Sequence, residues 1–141
     1  MRTLATFEVE CADDSLWDDN DNLVMPRGRI LAEGLSDKLR ERGFISSPVV
    51  QHSFYGWHFD LNRNHESVQL ILQGGQPWIL VADETQRQSA GLTNDVSLLR
   101  SALLQINDIL QNDTMFSKIS WFTRREYESG NTENGATSPV Q

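Results

Sequence analysis

Three histidines, one cysteine and a cluster of aspartates are the side chains of this sequence whose types suit chemistry. His52, His58 and His65 invite a metal or acid–base reading, because imidazole ligates zinc and titrates near neutrality. Their spacing matches no metal motif. His58 and Asp60 project from one face of a strand, about 7 Å apart along it, too far for a direct imidazole–carboxylate bond unless the side chains lean together. With His52 and Tyr55, and with Phe54 at the rim, they outline a candidate ligand or enzyme site on the polar face of a sheet. His65 falls in a turn.

The other catalytic and cofactor patterns fail on geometry. Cys11 follows Phe7 and Val9 in an alternating run that points it inward as a small hydrophobe, away from any base. Ser36, in Gly34-Leu35-Ser36-Asp37, lies inside a helix and not on the strained elbow a hydrolase nucleophile needs. Gly74-Gly75 sits between two strands, as a hairpin turn and not as a phosphate loop ahead of a helix. A calcium loop started at Asp18 places Leu23 where glycine is needed and Arg29 where glutamate is needed. No catalytic residue, metal or cofactor is expected.

The residues least explained by folding alone lie between Ala12 and Asn22. Asp13, Asp14, Asp18, Asp19 and Asp21 occupy this stretch with no basic residue, so it reads as a solvated loop. Leu16 and Trp17 stand in its middle. A tryptophan there either folds back onto the sheet edge or waits for a partner, since tryptophan is a preferred interface anchor. In the second case the acids would steer the loop toward a basic surface, and Leu16 and Trp17 would supply the buried area.

Elements to position these residues can be read from periodicity. Alternation from Leu4 to Cys11 makes a first strand. Pro26 opens a helix over Arg27 to Arg42, with Leu31, Leu35 and Leu39 at i+4 and Gly43 as its stop; Gly34 suggests close approach of helix to sheet. Strands follow at Val49 to His52, Tyr55 to Leu61, Ser67 to Gln73 and Pro77 to Ala82, the last three joined by two hairpins. Thr93 or Asn94 caps a second helix, with Asp95 in its first turn and Val96, Leu99, Leu103, Ile106 and Leu110 as its stripe. Lys118 to Thr123 is a last strand.

The order β-α-β-β-β-β-α-β assembles into an α+β two-layer sandwich, a mostly antiparallel sheet of five to six strands with both helices on one face. Residues 1–127 form the domain, and 128–141, poor in hydrophobic residues, form a disordered tail. A doubly wound nucleotide-binding fold is unsupported, because strict alternation of strand and helix is missing.

The 141 residues suffice for one core, and six Phe, four Trp and two Tyr help to fill it. The net charge of −8 would repel nucleic acid and anionic lipid. No run of about 18 apolar residues can span a membrane, the first residues lack the apolar stretch of a secretion signal, and a lone cysteine suits a reducing, cytoplasmic setting. The expected function is a noncatalytic protein-binding module of the immunity-protein, inhibitor or adaptor kind, directing its acidic loop at a basic or neutral protein partner. The alternative is a small enzyme or ligand-binding domain working through His52, His58 and Asp60.

Overall fold

The computed structural model describes residues 1–86 and 97–140. The expected helix cap at Thr93 or Asn94, and Asp95 and Val96 after it, lie outside these residues. The chain is α+β, with strands β1 (Leu4–Val9), β2 (Leu16–Trp17) and β3 (Leu23–Met25), then helix α1 (Arg29–Glu41). Strands β4 (Ile45–Ser46), β5 (Val50–His52), β6 (Gly56–Arg63), β7 (Glu66–Gln73) and β8 (Trp78–Gln86) follow. Helix α2 (Leu98–Asn112), strand β9 (Phe116–Phe122) and the short helix α3 (Arg124–Glu128) complete it.

Among the described residues seven strands form one antiparallel sheet in the order β4-β6-β7-β8-β1-β9, with β5 sharing the outer edge of β6 beside β4. The meander β6-β7-β8 is joined by tight hairpins, and the first strand slots between β8 and β9. Alternation decides which side chains face inward. Trp57, Phe59 and Leu61 on β6, Val68, Leu70 and Leu72 on β7, and Trp78, Leu80 and Ala82 on β8 are all buried. Both long helices cover this face. Leu31, Leu35 and Leu39 of α1 and Leu99, Leu103, Ile106 and Leu110 of α2 join the same core cluster. Each large side chain so buried stabilises the fold by about 1.5–3 kcal/mol relative to exposure. The helices are tied together by Lys38 to Asp113 at 2.7 Å and Arg42 to Asp108 at 2.6 Å.

Two core tryptophans have their polar atoms paired, as burial requires. Trp57 Nε1 donates to the Pro26 carbonyl at 3.0 Å, and Trp121 Nε1 donates to Asn107 Oδ1 at 2.8 Å. Trp78 carries the Arg27 guanidinium 5.0 Å from its ring centroid.

The structure departs from the sequence expectations at several points. The first strand stops at Val9, which leaves Cys11 exposed instead of inward. The stretch from Ala12 to Asn22 is not wholly loop, since β2 pairs with β3 in a separate two-stranded sheet. Pro26 precedes the cap of α1 and does not open its first turn, and α2 is capped by Ser97, whose side chain accepts from the Arg100 amide at 3.1 Å. Gly34 approaches nothing: a Cβ there would have no atom within 4 Å. After α3 the segment read as a tail turns back along the sheet. Trp121 N donates to the Ala136 carbonyl at 2.8 Å, Ala136 N donates to the Trp121 carbonyl at 2.9 Å, and Arg2 N donates to the Pro139 carbonyl at 2.8 Å. On the face away from the long helices, Phe122 packs edge-on against Tyr127 of α3, and Arg124 reaches Asp83 at 2.8 Å. Among the described residues no helix is long and apolar enough to cross a membrane.

Candidate functional site

The acidic stretch is built around its own carboxylates. Asp13 Oδ1 accepts from the amide of Ser15 at 2.9 Å and from its hydroxyl at 2.6 Å, turning the chain into β2. Asp18 closes the turn at the other end of β2, its Oδ1 accepting from the amides of Asn20 and Asn22, both at 2.9 Å. These are side-chain turns of the kind aspartate favours. The bonds favour the charged carboxylates. For Asp13 the Ser15 hydroxyl and then the Ser15 amide hold the carboxyl below its usual range, and for Asp18 the amide of Asn22 leads. Asp19 and Asp21 are exposed at the tip.

Asp14 has a different task. Helix α1 begins at Gly28, which has no side chain to cap with and whose φ of 112° suits glycine. A Cβ on Gly28 would stand 3.0 Å from the Trp78 ring. Asp14 supplies the missing acceptor from 14 residues upstream, Oδ1 taking the Gly28 amide at 2.7 Å and Oδ2 the Ile30 amide at 2.9 Å. The carboxylate also meets the positive end of the helix dipole, since the first turn of α1 holds no acid of its own. Asp14 therefore anchors the hairpin to the domain and is not a free surface acid.

On this frame Leu16 is 52% and Trp17 59% exposed, so Trp17 does not fold back into the core. Its indole is held at the surface, Nε1 donating to Ser15 Oγ at 3.2 Å. Val24 on the facing strand is exposed as well. The turn between β5 and β6 adds Phe54, 76% exposed, and Tyr55, 54% exposed. Trp17, Phe54 and Tyr55 line one hollow of about 310 Å³ with Asp13, Leu23 and Pro26, and with Arg27 in its wall. Thus Tyr55, read from sequence as part of the histidine site, stands with the hairpin.

The two candidate sites are neighbours on one surface. The His52 ring lies 5.8 Å from Tyr55 and 5.2 Å from His58, edge-on to both. His58 Nδ1 is within 2.9 Å of Gln69 Nε2, its cross-strand diagonal neighbour. Asp60 makes its contacts through its backbone: its amide donates to Ser47 Oγ at 2.8 Å and its carbonyl accepts from Ser47 N at 2.9 Å. The structure brings His52, His58 and Tyr55 together. It does not join His58 to Asp60. Among the described residues no three His, Cys, Asp or Glu side chains are grouped to hold a metal ion.

Sequence reasoning missed the strand pairing Leu16–Met25 and Trp17–Leu23 and with it the roles of Val24, Leu23 and Pro26. The signal was present: two short apolar runs, Leu16-Trp17 and Leu23-Val24-Met25, flank a turn rich in Asp and Asn. A scan against protein-family models finds no match, and searches of the curated proteins and of the solved structures find none either.

Proposed function

We propose that this chain is a noncatalytic protein-binding module whose acidic hairpin grips a basic partner. The observation that carries the reading is the exposure of Trp17 on a hairpin pinned by its own aspartates, beside the exposed rings of Phe54 and Tyr55. Large apolar side chains gathered on a surface and rimmed by charge are the usual anatomy of an interaction site. Aromatic anchors contribute most of the energy of such contacts. The rim of Asp13, Asp18, Asp19 and Asp21 would raise the association rate with a positively charged surface and set the orientation. Preformed turns lower the entropy lost on binding. An immunity protein, inhibitor or adaptor would use such a surface, an analogy of charge and size alone.

The test is affinity capture with the wild-type chain and with the double variant Trp17→Ala/Phe54→Ala, at about 0.05 M and about 0.5 M salt. The expected result is a basic protein retained by the wild type at low salt, released at high salt and not retained by the variant. Identical capture by both chains would overturn the reading.

A second reading, a ligand site at His52, Tyr55, His58 and Asp60, draws on the packing of His52 between Tyr55 and His58. It requires a small molecule to bind there saturably. An NMR ligand screen that moves no His52 or His58 ring signal would remove it.

A further inference from the structure

A second hollow, also of about 310 Å³, opens along α1 beside Asp14, and it is lined almost wholly by apolar atoms. We propose that it binds a small amphiphile, a hydrocarbon chain or ring of about eight carbons bearing an oxygen acceptor as its head, and that Gly34 keeps the site open. This proposal is independent of the hairpin reading.

The helix itself shows the notch. Leu31, Leu35 and Leu39 form the buried stripe of α1, and Ile30, Gly34 and Lys38 form the adjacent stripe at i+4. Glycine inside a helix costs roughly 1 kcal/mol relative to alanine. The packing of the described residues does not demand it here, because a Cβ at Gly34 would meet none of their atoms within 4 Å. The missing side chain leaves an open gap between Ile30 and Lys38, floored by Leu31 and Leu35 and walled by Met115 and Phe116. Ile30 is 65% exposed at its mouth.

Volume and polarity select the occupant. An apolar cavity of about 150 Å³ admits benzene, so one twice as large suits a medium chain or a fused ring. Among the described residues two charged groups line it, Asp14 and Lys38. The Asp14 carboxylate is taken by the amides of Gly28 and Ile30. Lys38 donates to Asp113 at 2.7 Å, which uses one of the three donors of its ammonium group. A neutral or anionic oxygen head can take a remaining donor, whereas an ammonium head has no acceptor to offer Lys38. Cys11 lies on the rim, shared with a neighbouring polar hollow, and as the one cysteine of the chain its thiol supplies a second readout beside the methyls. Partial burial, and then the nearby Asp14 carboxylate, push that thiol above its usual range.

The test uses the full chain with octanoate, 1-octanol and octylammonium, read by NMR shifts of the Ile30 and Met115 methyls and by the rate of Cys11 alkylation with iodoacetamide. Octanoate and 1-octanol are expected to shift both methyls saturably and to slow alkylation severalfold, and octylammonium to do neither. Gly34→Phe should fill the gap and abolish both effects, while Gly34→Ala should raise the melting temperature. Should Gly34→Phe fail to fold, Lys38→Met decides: it should keep the groove and lose the preference against octylammonium. No saturable shift with octanoate or 1-octanol, or equal shifts with all three probes that persist in Gly34→Phe, would overturn the proposal. Because these readouts do not involve Trp17 or a protein partner, failure here leaves the hairpin reading intact, and the reverse holds.

Discussion

Trp57 and Trp17 lie at opposite extremes of one surface scale. Trp57 is buried, its indole nitrogen bonded to the Pro26 carbonyl and its ring beside Gly28, while Trp17 stands in solvent on a hairpin that touches the core cluster through Met25. Folding energy explains the first placement fully, since a buried tryptophan with its N–H paired stabilises the interior. It does not explain the second. The hairpin has its turns closed by Asp13 and Asp18 and its root fixed by Asp14, with Met25 packed against the core, so it is held in shape while Trp17 stays outside. A segment ordered by local hydrogen bonds, with Leu16, Trp17 and Val24 turned outward, is suited to meet another molecule.

The contrast can be broken experimentally, and the largest effect is expected in the core. Trp57→Ala should lower unfolding free energy by about 3 to 5 kcal/mol, measured by urea titration. Next comes the anchor. Asp14→Ala leaves two amides of α1 without their acceptor and should cost about 1 to 2 kcal/mol, whereas Asp19→Asn at the exposed tip should leave the urea midpoint unchanged. Smaller still, Trp17→Ala should change stability by less than about 0.5 kcal/mol, yet remove about 2 kcal/mol or more of affinity for a partner that uses the hairpin. A Trp17→Ala protein as destabilised as Trp57→Ala would mean that the indole belongs to the fold.

The pH response of the hairpin sharpens the same point. The carboxyls of Asp13 and Asp18 are held below the usual range in the folded chain, by Ser15 and by Asn22 respectively. Their contribution is complete above the unfolded value of about 3.9 and is lost as pH falls through the depressed folded value. Acidification below about pH 4 should therefore loosen the turns while the core persists. The amide shifts of Asn20 and Asn22 should move in that window in the wild type, and should already be displaced at neutral pH in Asp18→Asn.

Much of the architecture was legible because it is periodic. Trp57, Phe59 and Leu61 alternate with polar neighbours, and the leucines of α1 and α2 recur at helical steps, so the strands, helices and shared face followed from local pattern. Contacts distant in sequence were not legible. Asp14 caps α1 across 14 residues, and Glu66 on β7 caps α2 across 32, its Oε1 accepting from the Leu98 amide at 3.0 Å. No local window contains either pair. Strands β2 and β4 hold two residues each, too few to show a period, and Cys11 was drawn inward by extending an alternation past the real strand end. The capping box of α3 was visible in principle as Thr123 and Glu126, but the expected last strand ran through Thr123 and hid it. Of the candidate site, the residue types were readable and their convergence was not, because Trp17 and Tyr55 meet only through the folded sheet.

The most direct measurement is fluorine NMR of the chain labelled with 5-fluorotryptophan, comparing the four indole resonances in H2O and D2O. One resonance, assigned by Trp17→Phe, should show the full solvent isotope shift of an exposed ring, while those of Trp57, Trp78 and Trp121 stay close to zero. Four protected resonances, or a Trp17 signal as shielded from solvent as the others, would contradict the separation of surface anchor from core.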